Sequence, residues 1–212
     1  MTVVDWLLDS DPSIRWQAMR DLTDEPDAVV AAERSRVASE GWGARLLHLQ
    51  APDGQWGESS CTSWIDSPEG KATCALTLLR DMGLDPTSEQ ARRAVTLVRD
   101  NITHYEGGKP FFAGETEPCI NGRVLAVGAY FGEPCEGVLE RVLGEQLDDG
   151  GWNCEAPPSI RSSFHTTICV LEGLLEHERA NGASAAATEA RVSGEKSISW
   201  SAACSGRDRR AS

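Results

Sequence analysis

Apolar residues recur every three to four positions along most of this chain, and no segment alternates apolar and polar residues as a half-buried strand does. The stretches with helical spacing are "DPSIRWQAMRDL", "EPDAVVAAERSRVASEG", "WGARLLHLQ", "KATCALTLLRDMG", "SEQARRAVTLVRDN", "EPCINGRVLAVGAYFG", "EGVLERVLGEQ" and "FHTTICVLEGLLEHERANG". The first opens on Asp11, a capping residue, with Pro12 at the position where a helix needs no N–H. Gly41 is a natural stop for the second. Breaks such as "LDPTS" and "FGEP" are short enough to join antiparallel helices. The expected fold class is all-α.

A repeat lies over this pattern. "LLHLQAPDGQWGE" (46–58) and "VLGEQLDDGGWNCE" (142–155) each carry a helix end, then Gln, Asp-Gly and Trp. Gln50 and Gln146 are 96 residues apart, as are Trp56 and Trp152. Half that interval falls at Val98 and Arg99, where "LVRDNITHYEGGKPFF" reads as an eroded middle copy. A period near 48 residues, read from these spacings, holds two helices and their turns, as in stacked helical hairpins. In such a turn glycine permits the reversal and the Gln amide serves open backbone groups at the helix end. The Trp ring covers the seam between neighbours. Asp53, Asp148 and Asp149 are then turn and cap residues rather than catalytic acids.

Composition narrows the function classes. The 212 residues suit one domain with a real core, and 40% hydrophobic with 25% charged residues is ordinary for a globular chain. A net charge of −13 opposes binding to nucleic acid or an anionic membrane. No apolar run approaches the length of a transmembrane span, and the N-terminus "MTVVDWLLDSDPSIRW" does not read as a secretory signal. Seven cysteines, an odd number without a framework-like spacing, read as reduced thiols, so the expected compartment is the cytoplasm.

The two Gln/Trp turns resemble the QW motif (Gln, a short gap, Gly-x-Trp) of squalene and other terpenoid cyclases, whose superfamily includes the β subunits of protein prenyltransferases. The resemblance covers roughly residues 41–180. It implies an α/α toroid of repeated helical hairpins around an apolar cavity, with an isoprenoid as substrate or ligand and a partner subunit that the sequence does not identify. The segment "GETEPCINGRVLAVGAY" (114–130) is similar to the prenyltransferase segment in which Asp-x-Cys supplies two zinc ligands. "DDGGWNCEAPPSIRSSFHTTICVLEGL" (148–174) is similar to the next repeat, where a His at the start of an inner helix supplies a third. Carried over, the resemblance implies Glu117, Cys119 and His165 as ligands of a zinc ion.

Spacing agrees with that assignment. Pro118 suits a first helical position, putting Glu117 at the cap and Cys119 just inside, and His165 follows Cys119 by 46 residues, about one repeat. Carboxylate, thiolate and imidazole with one open position make a catalytic zinc environment. The same residues have plain structural uses: Glu117 as a helix cap, Cys119 as a small core residue, His165 as a hydrogen-bonded buried side chain. On either reading the chemistry lies beside "EQLDDGGWNCE" (145–155) rather than in it. Two departures separate the chain from the families it resembles. The Asp-x-Asp-Asp acid motif of class II cyclases is absent. Around "PFFAGETEPCING" only Lys109 upstream and Arg123 downstream are basic, too few to clamp a diphosphate.

The expected organisation is N-terminal helices over 1–40, α/α repeats over 41–192 and a tail over 193–212. After Arg191 Ser, Gly and Arg accumulate, which predicts either a disordered tail or the product of a frameshift near Lys196 that replaced further helices. In the second case the toroid is incomplete at the C-terminus. Three functions stay open: an isoprenoid-acting enzyme with zinc, a non-catalytic lipid- or partner-binding module, or an inactive truncated product.

Overall fold

The computed structural model of the chain describes residues 1–58, 63–105 and 107–205. Among these the fold is all-helical: α1 Val3–Leu8, α2 Pro12–Leu22, α3 Asp27–Ser35, α4 Gly41–His48, α5 Pro68–Asp81, α6 Glu89–Asn101, α7 Pro118–Phe131, α8 Glu136–Gly144, α9 Phe164–Asn181 and α10 Ala185–Ser205. Short 3-10 turns occur at Arg36–Ala38, Trp64–Asp66 and Phe111–Ala113. No described helix is long and apolar enough to cross a membrane. The chain forms two compact units, Met1–Thr103 and His104–Ser212.

In the first unit Asp11 caps α2 through the Ser13 N–H, and Pro12 holds the first helical position, as its sequence predicts. Trp16 donates from Nε1 to the Met82 carbonyl at 2.8 Å, with the guanidinium groups of Arg20 and Arg34 over its ring. Trp16, Val37, Leu76, Leu79, Leu84, Val95 and Val98 are among its buried apolar side chains.

In the second unit α7 and α9 approach so closely that a methyl on Gly122 would lie 2.4 Å from the Cys169 carbonyl oxygen, and one on Gly173 would lie 2.4 Å from that of Gly122. Only glycine permits two backbones this near each other. Val124, Leu125, Val127, Val142, Trp152, Val170 and Leu174 are among this unit's buried apolar side chains.

The repeated turn is present once in each unit, with the same bonds. Gln50 Nε2 donates to the carbonyls of Gly54 and Ala94, and Gln146 Nε2 to those of Gly150 and Ala190. Trp56 Nε1 donates to the Leu46 carbonyl, and Trp152 Nε1 to that of Val142. Each Gln therefore ties its turn to a helix 44 residues on, α6 in one case and α10 in the other. The equivalence runs beyond the turns, because Ser67 and Ser163 cap α5 and α9 while Ser88 and Ser184 supply the same bond at the starts of α6 and α10. The middle stretch is built differently. His104, buried, pairs Nε2 with the Phe111 carbonyl at 2.7 Å and stacks on the Phe111 ring.

Two helices differ from the expectation. The six residues of α1 are too few to show a period, yet Thr2 and Asp5 close a capping box at its start. Helix α10 runs to Ser205, through the first part of the stretch that reads as a tail. Its buried positions Ala187, Ala190, Gly194 and Ser197 follow helical spacing but are small, so no apolar pattern marks them in the sequence. Residues 206–212, the rest of the expected tail, lie outside the described residues.

Candidate metal centre

Asn121 positions the start of α7. Fully buried, it accepts from the Glu115 N–H through Oδ1 at 2.9 Å and donates to the Glu115 carbonyl through Nδ2 at 3.0 Å. This clamp delivers the extended segment 115–117 onto the helix, where Pro118 takes the first position and Glu117 the cap. The Glu117 side chain makes no capping bond. Its Oε2 instead lies 3.5 Å from the Cys119 sulfur, which sits in the first turn. Glu117 thus occupies the cap position expected from sequence, but with its backbone alone.

The third member comes from the repeated turn. Trp152, with no exposed surface, is held at its N–H by Thr167 Oγ1 and at its carbonyl by the Ser163 N–H. Asn153 Nδ2 donates to Ser159 Oγ and to the Arg161 carbonyl. Between these anchors and α9, Cys154 comes within 3.4 Å of Thr166 Oγ1. One oxygen of Glu117 and the sulfurs of Cys119 and Cys154 all lie within 4.8 Å of one another. Among the described residues this is the group of three or more such side chains close enough together to hold a metal ion.

The two thiols share their protons unequally. Hydrogen bonding to Cys154, reinforced by burial and by the Glu117 charge, holds the Cys119 thiol well above the usual thiol range. The bond received from Cys119, helped by Thr166, brings Cys154 down to about 7 against the opposing effect of burial. An exposed carboxylate beside two half-buried thiols makes a donor set suited to a borderline-soft divalent cation such as zinc.

Of the three residues implied as ligands, Glu117 and Cys119 are brought together and His165 is not among the gathered group. His165 is exposed, in the first turn of α9 after the Ser163 cap, while its neighbour Thr166 is the residue that meets Cys154. Successive helical positions point about 100° apart, so the one that faces Cys154 turns the other aside. Cys154 is the residue that sequence reasoning missed. It belongs to "EQLDDGGWNCE", read above as turn alone, and the available signal was a thiol two residues past the motif Trp, in the connection that leads to α9. Asp149 of that stretch keeps its expected turn role, accepting from the N–H groups of Gly151 and Ser162, as does Asp53 of the first turn, which accepts from that of Gln55.

Cys154 also opens onto a depression of about 440 Å³, whose lining mixes Pro118, Leu147, Ala156, Pro157 and Ile160 with polar groups that include Glu145 and Asn153. The centre thus meets solvent through a partly apolar mouth. No protein-family model, no curated protein and no solved structure matches this chain.

Proposed function

We propose that this chain is a zinc-binding helical-repeat protein of the terpenoid-cyclase and prenyltransferase type, its hairpins arranged as an α/α toroid and its ligand an isoprenoid. Glu117, Cys119 and Cys154 would hold the ion, and the depression that Cys154 lines would admit a further ligand. The observation that carries this reading is the convergence of those three donors at one end of α7. Zinc with an open position, when bound, holds a substrate thiol as thiolate or acidifies a water. The chain's own part is to fix the donors: Asn121 sets the approach of Glu117, and Thr166 orients Cys154. The apolar lining of Pro118, Leu147, Pro157 and Ile160 suits a hydrocarbon chain lying beside the ion.

Metal analysis of the purified protein tests it. Stoichiometric zinc is expected in the wild type, lost in Cys119→Ser and Cys154→Ser and retained in His165→Ala. A zinc-free wild type contradicts the reading.

A second reading has its own observation. Phe164, Ile168 and Leu175 of α9 are 54%, 36% and 37% exposed and fall on one helical stripe. That stripe favours a non-catalytic module that docks an apolar ligand. Binding of a fluorescent polyprenol that survives removal of zinc by a chelator supports this second reading; binding lost with the ion supports the first.

A further inference from the structure

We propose that Cys119 and Cys154 form a dithiol that a hydroperoxide oxidises to an intramolecular disulfide, making the centre a reversible modification site as well as a place for an ion. The proposal shares two residues with the metal reading but stands on their geometry alone.

Three observations lead to it. The two sulfurs lie within 4.8 Å of each other, so forming the bond requires a movement of a few ångström at most. Cys119 is fixed in the first turn of α7, and Cys154 sits in the connection 145–163, outside any regular helix, so closing the gap need not displace a helix. The two thiols also differ in access. Both thiols are half-buried, but of the two only Cys154 lines the open depression, where a small oxidant can reach it. Among the other described cysteines, Cys135 and Cys169 are buried.

The chemistry balances with hydrogen peroxide as the oxidant. The Cys154 sulfur attacks one peroxide oxygen and the O–O bond breaks. This leaves Cys154 as a sulfenic acid and releases the first water, which carries away the thiol proton. The Cys119 sulfur then attacks the Cys154 sulfur, the S–O bond breaks, and the hydroxide leaves with the Cys119 proton as the second water. Two thiols have lost two electrons and two protons, and one peroxide has become two waters. The disulfide leaves no thiolate for an ion, so oxidation also empties the metal centre.

The test uses the full wild-type chain, stripped of metal by a chelator and exposed to hydrogen peroxide. Peptide mapping without reductant is expected to find Cys119 joined to Cys154, with dithiothreitol restoring both thiols. Cys119→Ser, checked for unchanged helicity, is expected to leave Cys154 as a sulfenic acid trappable by dimedone. Dimedone capture of Cys154 in the wild type without a cross-link overturns the proposal, as does a link from Cys154 to Cys169. Because this arm contains no metal, a chain that never binds zinc would sink the proposed function and leave the disulfide result standing.

Discussion

Cys154 shows what a single position contributes and why its role is hard to read in a sequence. Its sulfur becomes a candidate ligand only because Trp152 is buried and the next residues are strapped to Ser159 and Arg161, which returns the chain to the start of α7. Glu117 and Cys119 were singled out by the resemblance to an Asp-x-Cys segment, with which their spacing across a helix cap agrees. Cys154 needed the path of the whole connection. Thr166 is the residue behind it, and its hydroxyl at 3.4 Å helps set the sulfur's orientation. Partners of this kind typically matter roughly tenfold or more to metal affinity. Thr166→Val, which keeps the shape and removes the bond, is therefore expected to weaken zinc binding by about that factor in competition with a chromogenic chelator. An unchanged affinity would show that Cys154 is held by the backbone alone.

At the scale of elements, the two Gln/Trp turns are one design used twice, and here the sequence was most informative. Gln, Asp-Gly and Trp at matched spacing identified both turns, and the bonds from Gln50 and Gln146 are the same to the residue. What the motif did not disclose is how far the equivalence extends, since the Ser caps and the glycine contacts carry no pattern by themselves. Gly54 and Gly150 show the constraint directly. Both have positive φ, +85° and +91°, and a methyl on either would press on backbone 43 residues away, at Leu97 or Ser193. Gly54→Ala and Gly150→Ala are each expected to cost about 1–3 kcal/mol in denaturant unfolding, from left-handed backbone strain before any clash is added. Gly57→Ala, also at positive φ but with nothing within 4 Å, is expected to cost less than either. Equal losses at all three positions would mean that the contact to α6 and α10 contributes nothing.

For the molecule as a whole, apolar periodicity gave the fold class but missed the first and the last of the described helices. The α1 helix is too short for a period, and α10 buries Ala187, Ala190, Gly194 and Ser197, residues too small to register as a hydrophobic face. Yet α10 carries the Ala190 carbonyl that receives Gln146 and the Ser193 backbone that abuts Gly150. Removing residues 185–212 is therefore expected to lower the melting temperature by roughly 5 °C or more, as the loss of a kcal/mol or two from a chain of this size implies. An unchanged melting temperature would return the segment to the status of a dispensable tail. The central claim reaches further, to the ion that Glu117, Cys119 and Cys154 are proposed to hold. X-ray absorption at the zinc edge of the zinc-loaded protein tests it most directly. Two sulfur neighbours at about 2.3 Å, with oxygen or nitrogen completing the shell, are predicted. A shell with one sulfur and an imidazole, or with no sulfur at all, would contradict the account.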